Sequence, residues 1–372
     1  MPAPARFHLP IDIGHFLAHH WQREALLIRG AVKHFQVPLD GDELAGLAME
    51  EEVESRIVEE AGGRWRVSHG PFAEADFQRP PPWTLLVQAV DQWVPEVAAL
   101  KQLADFLPHW RADDVMVSYA TDGGSVGPHF DRYDVFLLQG QGQRLWRLGQ
   151  HCDDNSPLLE ACEQRVLADF DCRQQYLLSP GDLLYLPPGL AHWGIAQGEC
   201  TTFSIGFRAP ARQDLLARLT DQALESAGAQ ALFSDPGRAR ATRPGEISSD
   251  DIAAARAQAI ALLEQQDHPA WFGELVSEPR YPLQADDGPP ADLEGLWLGQ
   301  VQLWRNPAAR ILWCEQGSTL HVFANGSACE LPVTVIPTLT GLIEKGRMDC
   351  KNDGTDRNLV TFLLETGACY AE

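Results

Sequence analysis

The sequence contains no C-x-x-C pair and no long hydrophobic run, and each absence excludes a class of protein. The eight cysteines are scattered, which gives neither a zinc-ribbon pattern nor a compact disulfide framework. No stretch approaches the roughly 18 to 20 apolar residues that span a bilayer, and the first 21 residues lack the basic and apolar regions of a signal peptide. We therefore expect a cytoplasmic protein with no membrane contact.

Positive charge is also scarce, because 29 lysines and arginines face 52 aspartates and glutamates, a formal net charge of −23. The negative electrostatic field of such a protein repels phosphate backbones and attracts basic partners. We expect no direct binding of nucleic acid, and a cationic protein or peptide is the favoured partner. The acidic residues can also serve only to keep the protein soluble, and the composition does not distinguish this interpretation from the binding of a basic partner.

The chain of 372 residues exceeds the size at which one core usually stops growing, and its pattern changes twice. Amphipathic spacing predicts helices at residues 13–21 and 39–55. From there to about Arg208, short β-rich runs broken by glycine, proline and aspartate predict a closed antiparallel barrel or sandwich.

After Pro210 the apolar residues recur at helical spacing, in segments 211–233 and 248–266, and we expect their apolar stripes to pack on a second copy of the chain. A proline-rich break at 277–290 follows. The remainder predicts a small α+β segment with strands around an Asn325-Gly326 turn and two final helices, at 337–346 and 356–367.

The run VGPHFDRYDVFLLQG places His129 and Asp131 two residues apart, so in a strand both side chains point to one face. The segment GDLLYLPPGLAHWG offers His192 as a third ligand from another strand. Two imidazoles and one carboxylate on one side of an ion leave the opposite positions open. Non-haem iron(II) oxygenases use this arrangement to bind an oxo-acid and dioxygen together.

An oxo-acid bound in an apolar barrel needs a cationic partner for its second carboxylate. Arg144, on a strand that can return beside the ligand strand, is our prediction for this partner, because odd spacing sends its competitor Arg147 to the opposite face. Ser118 and Ser204 interrupt apolar strands, and either hydroxyl can contribute to the pocket or be a satisfied core serine.

Three further residues are weaker candidates for substrate contact. Tyr133 shares the strand face of His129 and Asp131 and is predicted to line the substrate entrance, although a strand tyrosine also serves packing. Asp134 and Asp122 are acids able to meet an arginine guanidinium.

The segments VGPHFDRYDVFLLQGQGQRLWRLG, PGDLLYLPPGLAHWGIA and TTFSIGFRAP resemble those of the JmjC-type cupin oxygenases. In particular, they are similar to the bacterial ribosomal oxygenases, which hydroxylate an arginine side chain of the sixteenth protein of the large ribosomal subunit. The resemblance implies an α+β chain with a double-stranded β-helix barrel (1–209), a helical dimerisation region (210–278) and a small winged-helix-like domain (279–372).

The resemblance also implies roles for individual residues. His129, Asp131 and His192 would bind iron(II), and Arg144 would hold the distal carboxylate of the cosubstrate 2-oxoglutarate, with dioxygen as the second cosubstrate. The implied partners are a basic large-subunit ribosomal protein and a second copy of the chain. Two alternatives stay open: a JmjC hydroxylase or demethylase with another protein or small-molecule substrate, and a non-catalytic cupin that only binds a metal.

Overall fold

The computed structural model describes residues 7–160, 162–228, 232–281, 293–350 and 356–372. These residues form two compact units, which divide between Ala209 and Pro210. Most of the predicted proline-rich break, and residues 229–231 of the predicted helix at 211–233, lie outside the described residues. None of the helices in the described ranges is both long and apolar enough to cross a membrane.

The first unit consists mainly of strands, with three short α-helices and four 3-10 turns among its described residues. In chain order its elements are α1 (Ile13–His19), β1 (Leu26–Ile28), α2 (Gly41–Leu47), β2 (Ser55–Ala61), β3 (Arg64–His69), β4 (Trp83–Val87), α3 (Pro95–Ala98), β5 (Ala112–Ala120), β6 (Val135–Gln139), β7 (Gln143–His151), β8 (Gln174–Leu178), β9 (Leu183–Leu186), β10 (Leu190–Gln197) and β11 (Cys200–Phe207). The 3-10 turns cover Glu74–Phe77, Val90–Gln92, Ala99–Ala104 and His109–Arg111.

Two antiparallel sheets face each other in this unit. The larger has the order β1-β9-β6-β11-β5-β4-β2-β3 and the smaller the order β10-β7-β8. Val135 and Leu137 of β6 pack with Trp146 and Leu148 of β7 in one buried cluster, which joins the inner faces of the two sheets. The predicted antiparallel barrel or sandwich is therefore confirmed.

Strand β6 is buried on both faces, which explains why its sequence is a continuous apolar run. Its alternate residues Phe136 and Leu138 belong to a second cluster, which contains Phe16 of α1 and Leu44 of α2. Successive side chains of a strand point to opposite faces, so β6 joins the barrel interior to an outer core covered by the N-terminal helices.

The predicted helix at 39–55 is too long, because α2 ends at Leu47. Asp40 begins it with a capping box to Glu43. The acidic residues that follow would lie at the negative end of the helix dipole, and Ser55 already pairs with Val87 in the sheet. The helix predicted at 13–21 likewise ends earlier, at His19.

The second unit begins with helices and ends in a small α+β fold. Its described elements are α4 (Arg212–Ser226), α5 (Ser249–Glu264), α6 (Ala270–Ser277), α7 (Leu293–Leu298), β12 (Leu303–Arg305), β13 (Ile311–Gln316), β14 (Thr319–Ala324), β15 (Ser327–Pro332), a 3-10 turn (Val333–Val335), α8 (Ile336–Lys345), β16 (Arg347–Met348), α9 (Arg357–Glu365) and β17 (Cys369–Ala371).

Two three-stranded sheets complete this unit, in the orders β13-β14-β15 and β16-β12-β17. The predicted Asn325-Gly326 turn joins β14 to β15, with both residues at positive φ (50° and 85°), and is confirmed. Ser248 caps α5 and accepts a hydrogen bond from Asp251 N, so this helix begins where the sequence predicts.

Candidate metal centre

A pair of backbone hydrogen bonds holds His129 opposite His192. His129 N donates to His192 O over 3.0 Å, and His192 N donates to His129 O over 2.8 Å. His192 lies on β10, but His129 forms only an isolated bridge, so the strand predicted through residues 126–140 is wrong in its first half. Gly127 has a φ of 81° and Pro128 has no N–H to donate, so regular pairing begins only at β6.

Asp131 reaches the same point from the loop before β6. Its carbonyl accepts a hydrogen bond from Gly189 N over 2.7 Å, which ties it to the Pro187-Pro188-Gly189 turn before β10. Its Oδ2 lies 3.6 Å from His192 Nε2. Strand periodicity was therefore the wrong reason for expecting Asp131 beside His129, although the loop brings the two side chains together.

The three side chains offer ligand atoms that all lie within 4.8 Å of one another. His192 is only 2% exposed, whereas His129 and Asp131 are half-buried, so the cluster is open on one side. No fourth histidine, cysteine or carboxylate of the described residues joins this group. Three candidate ligands and no fourth are the arrangement of an open metal site rather than of a closed structural site.

Both imidazoles are oriented by carbonyl groups two residues earlier in the chain. His129 Nδ1 lies 2.9 Å from Gly127 O, and His192 Nδ1 lies 2.9 Å from Leu190 O. A carbonyl only accepts, so Nδ1 carries the proton in each ring and the Nε2 lone pair is free for a metal. Burial, followed by the nearby His129, lowers the pKa of His192 to about 4, so this ring is neutral near pH 7.

Arg144 lies inside the barrel with part of its guanidinium unsatisfied. It is 5% exposed, and its Nη1 donates to Ser118 Oγ over 3.2 Å. Its Nε and Nη2, and the indole Nε1 of Trp146, are buried with no hydrogen-bond partner among the described residues. A buried unpaired donor costs about 1–3 kcal/mol and more when charged, so these atoms favour an anionic ligand in the barrel.

Strand pairing connects this arginine to His192, one of the candidate metal ligands. Strand β7 does not pair with β6, which follows Asp131, but with β10, which carries His192; Arg144 lies opposite Ala196 and Leu148 opposite His192. The indole of Trp146 lies between them along β7, and its ring centroid is 5.8 Å from that of His192. One face of β7 therefore carries both the guanidinium and the ring that contacts His192.

The two serines considered from the sequence lie on the inner face of the larger sheet. On β11, Thr202 lies opposite Ser118, and Ser204 lies opposite both Met116 and Leu137. Directly opposite residues share a face, and Leu137 belongs to the inner cluster. Both serines are thus buried toward the barrel interior, and Ser118 is the one that contacts Arg144.

The structure separates the remaining candidates. Arg147 points away from Arg144, as its spacing predicts, and its guanidinium carbon lies 5.2 Å from the centroid of a Trp193 ring. Tyr133 is 37% exposed in the loop after Asp131. Asp122 is exposed and accepts a hydrogen bond from Gly198 N over 2.8 Å.

The expectation that Asp134 meets a substrate guanidinium is wrong. Asp134 is fully buried and accepts hydrogen bonds from Tyr185 (2.5 Å), Gln22 (2.9 Å) and Arg111 (3.0 Å). Burial raises the pKa of this carboxyl, against the opposing effect of these donors. The arginine that it contacts, Arg111, belongs to the same chain, so Asp134 stabilises the outer core of the protein.

Sequence reasoning missed Ser125, which supports the histidine pair from outside the barrel. Its Oγ accepts hydrogen bonds from Trp193 Nε1 over 2.8 Å and from Gly127 N over 3.1 Å. Gly127 in turn orients His129 through its carbonyl. A single serine in a glycine-rich loop carries no pattern that would reveal this contact.

Two facing antiparallel sheets that enclose two histidines, an aspartate and a buried arginine define the cupin class of metal-binding barrel. Comparison with protein families agrees. Residues 99–215 match the JmjC domain, residues 170–277 match the AraC-like ligand binding domain, and residues 254–370 match the ROXA-like winged helix.

Individual relatives make the placement narrower. The chain is 36% identical to the ribosomal protein uL16 3-hydroxylase of Escherichia coli, over 97% of this chain and 96% of the relative. It is 39% identical to a probable ribosomal oxygenase of Haemophilus influenzae, over 54% of this chain and 50% of that protein.

Solved structures give the same result. The ribosomal oxygenase YcfD of Escherichia coli superposes with a TM-score of 0.82 at 33% identity, covering 99% of this chain and 100% of that one. A complex of YcfD with cobalt and 2-oxoglutarate superposes with a TM-score of 0.81 at 33% identity, over 98% and 99% of the two chains. The chain belongs to the JmjC-type ribosomal oxygenases.

Proposed function

We propose that this oxygenase uses iron(II), 2-oxoglutarate and dioxygen to hydroxylate an arginine side chain of the large-subunit ribosomal protein uL16. The observation that carries the proposal is the buried, partly unsatisfied guanidinium of Arg144, on the same inner strand face as the ring that packs against His192. A barrel that only binds a metal does not require a buried, partly unpaired arginine in its interior.

The donor set fits iron(II). His129 and His192 present Nε2 atoms, because their Nδ1 atoms face carbonyl groups, and Asp131 supplies one carboxylate oxygen. Two imidazoles and one carboxylate with an open side suit a metal that must also bind a cosubstrate and oxygen. These three residues are therefore proposed as the metal ligands.

The barrel interior fits 2-oxoglutarate. Arg144 would pair with the distal carboxylate through its free Nε and Nη2 atoms, and Ser118, which already contacts Nη1, would hold the guanidinium in place. Ser204 lies on the same inner face and is proposed as a further hydroxyl in this pocket. The YcfD complex with cobalt and 2-oxoglutarate supports this ligand class.

When bound, iron(II) supplies the oxidising chemistry, in which 2-oxoglutarate and dioxygen give succinate, carbon dioxide and a hydroxylated substrate. The chain's own residues bind and orient. The Ser118–Arg144 contact fixes one end of the cosubstrate, and the apolar walls formed by Leu137, Leu184 and Trp146 keep water out of the barrel. Tyr133, exposed beside Asp131, is proposed to line the substrate entrance.

The proposed substrate follows from charge and from the relatives. A net charge of −23 favours a basic partner such as a ribosomal protein, and the Escherichia coli relative is named for hydroxylation of uL16. The arginine target is our inference from the resemblance in the barrel motifs. Asp134 is fully buried and paired with Arg111, so it cannot receive the target guanidinium, and exposed Asp122 stays our candidate for this contact.

The test is hydroxylation of purified uL16 by the iron-loaded protein in the presence of 2-oxoglutarate and oxygen. We expect one added oxygen atom, located on an arginine by fragmentation mass spectrometry, with one succinate formed per hydroxylation. Asp131→Ala should abolish both products, and Glu50→Ala, at an exposed acid just after α2, should retain them. An oxygen on another residue refutes the arginine target, loss of a methyl group indicates a demethylase, and no succinate indicates a non-catalytic cupin.

We also infer that the chain forms a homodimer through its helical region. Helices α4 and α5 expose large apolar side chains, namely Leu216 (56%), Leu224 (68%), Ile252 (51%) and Ile260 (45%). Several large exposed apolar side chains on two neighbouring helical segments are what an interaction surface requires. A second copy is the occupant that the family resemblance implies.

A further inference from the structure

A second cluster of metal-ligand side chains lies in the unit that follows Ala209. His268 precedes α6, His321 lies on β14, and Glu330 lies on β15. Each offers one ligand atom, and these atoms all lie within 4.8 Å of one another. We propose that these three residues bind a divalent transition-metal ion of the zinc type, at a site that is separate from the oxygenase centre and that hydroxylation does not use.

Strand register fixes two of the three ligands. His321 lies directly opposite Glu330 in the β14–β15 pair, so both side chains share one face of the sheet. His321 Nδ1 is 3.7 Å from Glu330 Oε1, and His268 Nε2 is 3.0 Å from the same oxygen. The two imidazole ring centroids are 4.8 Å apart and the ring planes are nearly perpendicular, at 84°.

The backbone that carries His268 is held on both sides. Gln222 of α4 donates to His268 O over 3.1 Å and accepts from Trp271 N over 3.2 Å. Gln316 of β13 donates to Asp267 O over 3.3 Å. The third ligand is therefore positioned by the fold before any ion binds, which lowers the ordering cost of binding.

An ion pair alone explains only part of this geometry. The hydrogen bond to Glu330 accounts for His268, but His321 is 4% exposed and its Nδ1 stays 3.7 Å from the shared carboxylate, too far for a hydrogen bond. A cation between the three groups would serve all of them. Two imidazoles and one carboxylate are a common zinc donor set, with water as the fourth ligand.

Binding requires one proton to move. His268 Nδ1 accepts a hydrogen bond from Ala270 N over 3.3 Å, so in the metal-free state Nε2 carries the proton that points at Glu330. When the ion takes the Nε2 lone pair, that proton leaves and solvent supplies one to Nδ1. The hydrogen bonds to Glu330 and from Ala270 N are both lost, and coordination of the ion replaces the contact with Glu330.

The experiment measures zinc bound per full-length chain after removal of all metals. Wild-type protein should bind two equivalents, and Asp131→Ala, which disables the oxygenase centre, should bind one. Adding His268→Ala or Glu330→Gln to Asp131→Ala should abolish that remaining equivalent. Glu315→Gln is the matched control, because Glu315 is exposed on neighbouring β13 opposite Leu320, and the same charge change there should leave binding intact.

A second readout separates binding from stability. Cobalt(II) in place of zinc should give the Asp131→Ala protein a visible absorption band typical of four-coordinate cobalt, and His268→Ala should remove it while the far-ultraviolet circular dichroism stays unchanged. The proposal is overturned if Asp131→Ala binds no zinc, or if the His268 and Glu330 variants bind as much as the Glu315 control. Neither result bears on the proposed hydroxylation, which depends on His129, Asp131 and His192.

Discussion

Replacing Arg144 with methionine should weaken the binding of 2-oxoglutarate without lowering the stability of the metal-free protein. Arg144 is 5% exposed, its guanidinium has one hydrogen bond, to Ser118, and its Nε and Nη2 are buried without partners among the described residues. Methionine has a similar length and needs no partner. The variant should therefore bind 2-oxoglutarate poorly while its metal-free form is at least as stable as wild type.

The size of both effects follows from burial. Removing one partner of a buried charge pair costs about 3–5 kcal/mol, and each 1.4 kcal/mol is roughly tenfold in affinity, so 2-oxoglutarate should bind roughly a hundred- to several-thousand-fold more weakly. Relief of the unpaired charged donors, less the lost bond to Ser118, should stabilise the metal-free protein by about 1–2 kcal/mol.

The assay is calorimetric titration of 2-oxoglutarate into the metal-loaded protein, with urea unfolding of the metal-free protein as the stability measurement. Arg147→Met is the control, because this arginine of the same strand packs on Trp193 and faces away from the barrel. It should change the affinity less than threefold. Equal losses of affinity in both variants, or an Arg144→Met protein that is less stable by several kcal/mol, would refute the assignment of Arg144 as a ligand-binding cation.

Three further predictions concern acid dependence, the outer core and assembly. Burial raises the pKa of Asp182, but hydrogen bonds from Ser179 N and Gly30 N and the nearby Arg29 outweigh it, so the pKa lies below its ordinary value of 3.8. The carboxylate therefore contributes its full stabilisation above about pH 4, and this contribution is lost as the pH falls through the lower pKa of the folded state. The free energy of urea unfolding should then decrease less steeply with falling pH for Asp182→Asn than for wild type. Parallel curves would contradict this. Asp134→Asn should lower the free energy of urea unfolding by about 2–4 kcal/mol, since the fully buried carboxylate holds Arg111 and two other donors; a loss under 1 kcal/mol would argue against its anchoring role. Leu224→Glu, at a side chain 68% exposed on α4, should convert the expected dimer to a monomer in light scattering, with Asp221→Asn as the control, and a dimer that persists would place the interface elsewhere.

The order of elements and the chemistry of the site follow largely from local sequence. Alternation and turn residues predict strands β3, β5 to β9 and β11 and the Asn325-Gly326 hairpin, but not β4 or β10, because side-chain period and φ requirements act over a few residues. The candidate metal ligands follow from residue type, since two imidazoles and a carboxylate near glycine and proline turns are chemically distinctive. Arg144 follows from face parity along β7.

Local sequence patterns were insufficient where contacts with a distant segment of the chain determine the position of a side chain. His129 and Asp131 have strand spacing, but Gly127 and Pro128 break the strand, and convergence depends on backbone bonds to His192 and Gly189 more than fifty residues away. Asp134 looks like a free surface acid until Tyr185 and Arg111 enclose it.

For the same reason, contacts between residues that are far apart in the sequence could not be predicted. The Ser125 link to Trp193 joins residues 68 positions apart, and the His268–Glu330 contact joins residues 62 positions apart. The sequence alone determined which residues can bind a metal or a carboxylate, because that depends on their functional groups. Only the tertiary structure decided which of them meet, because long-range pairing, burial and loop closure bring together groups that no local period relates.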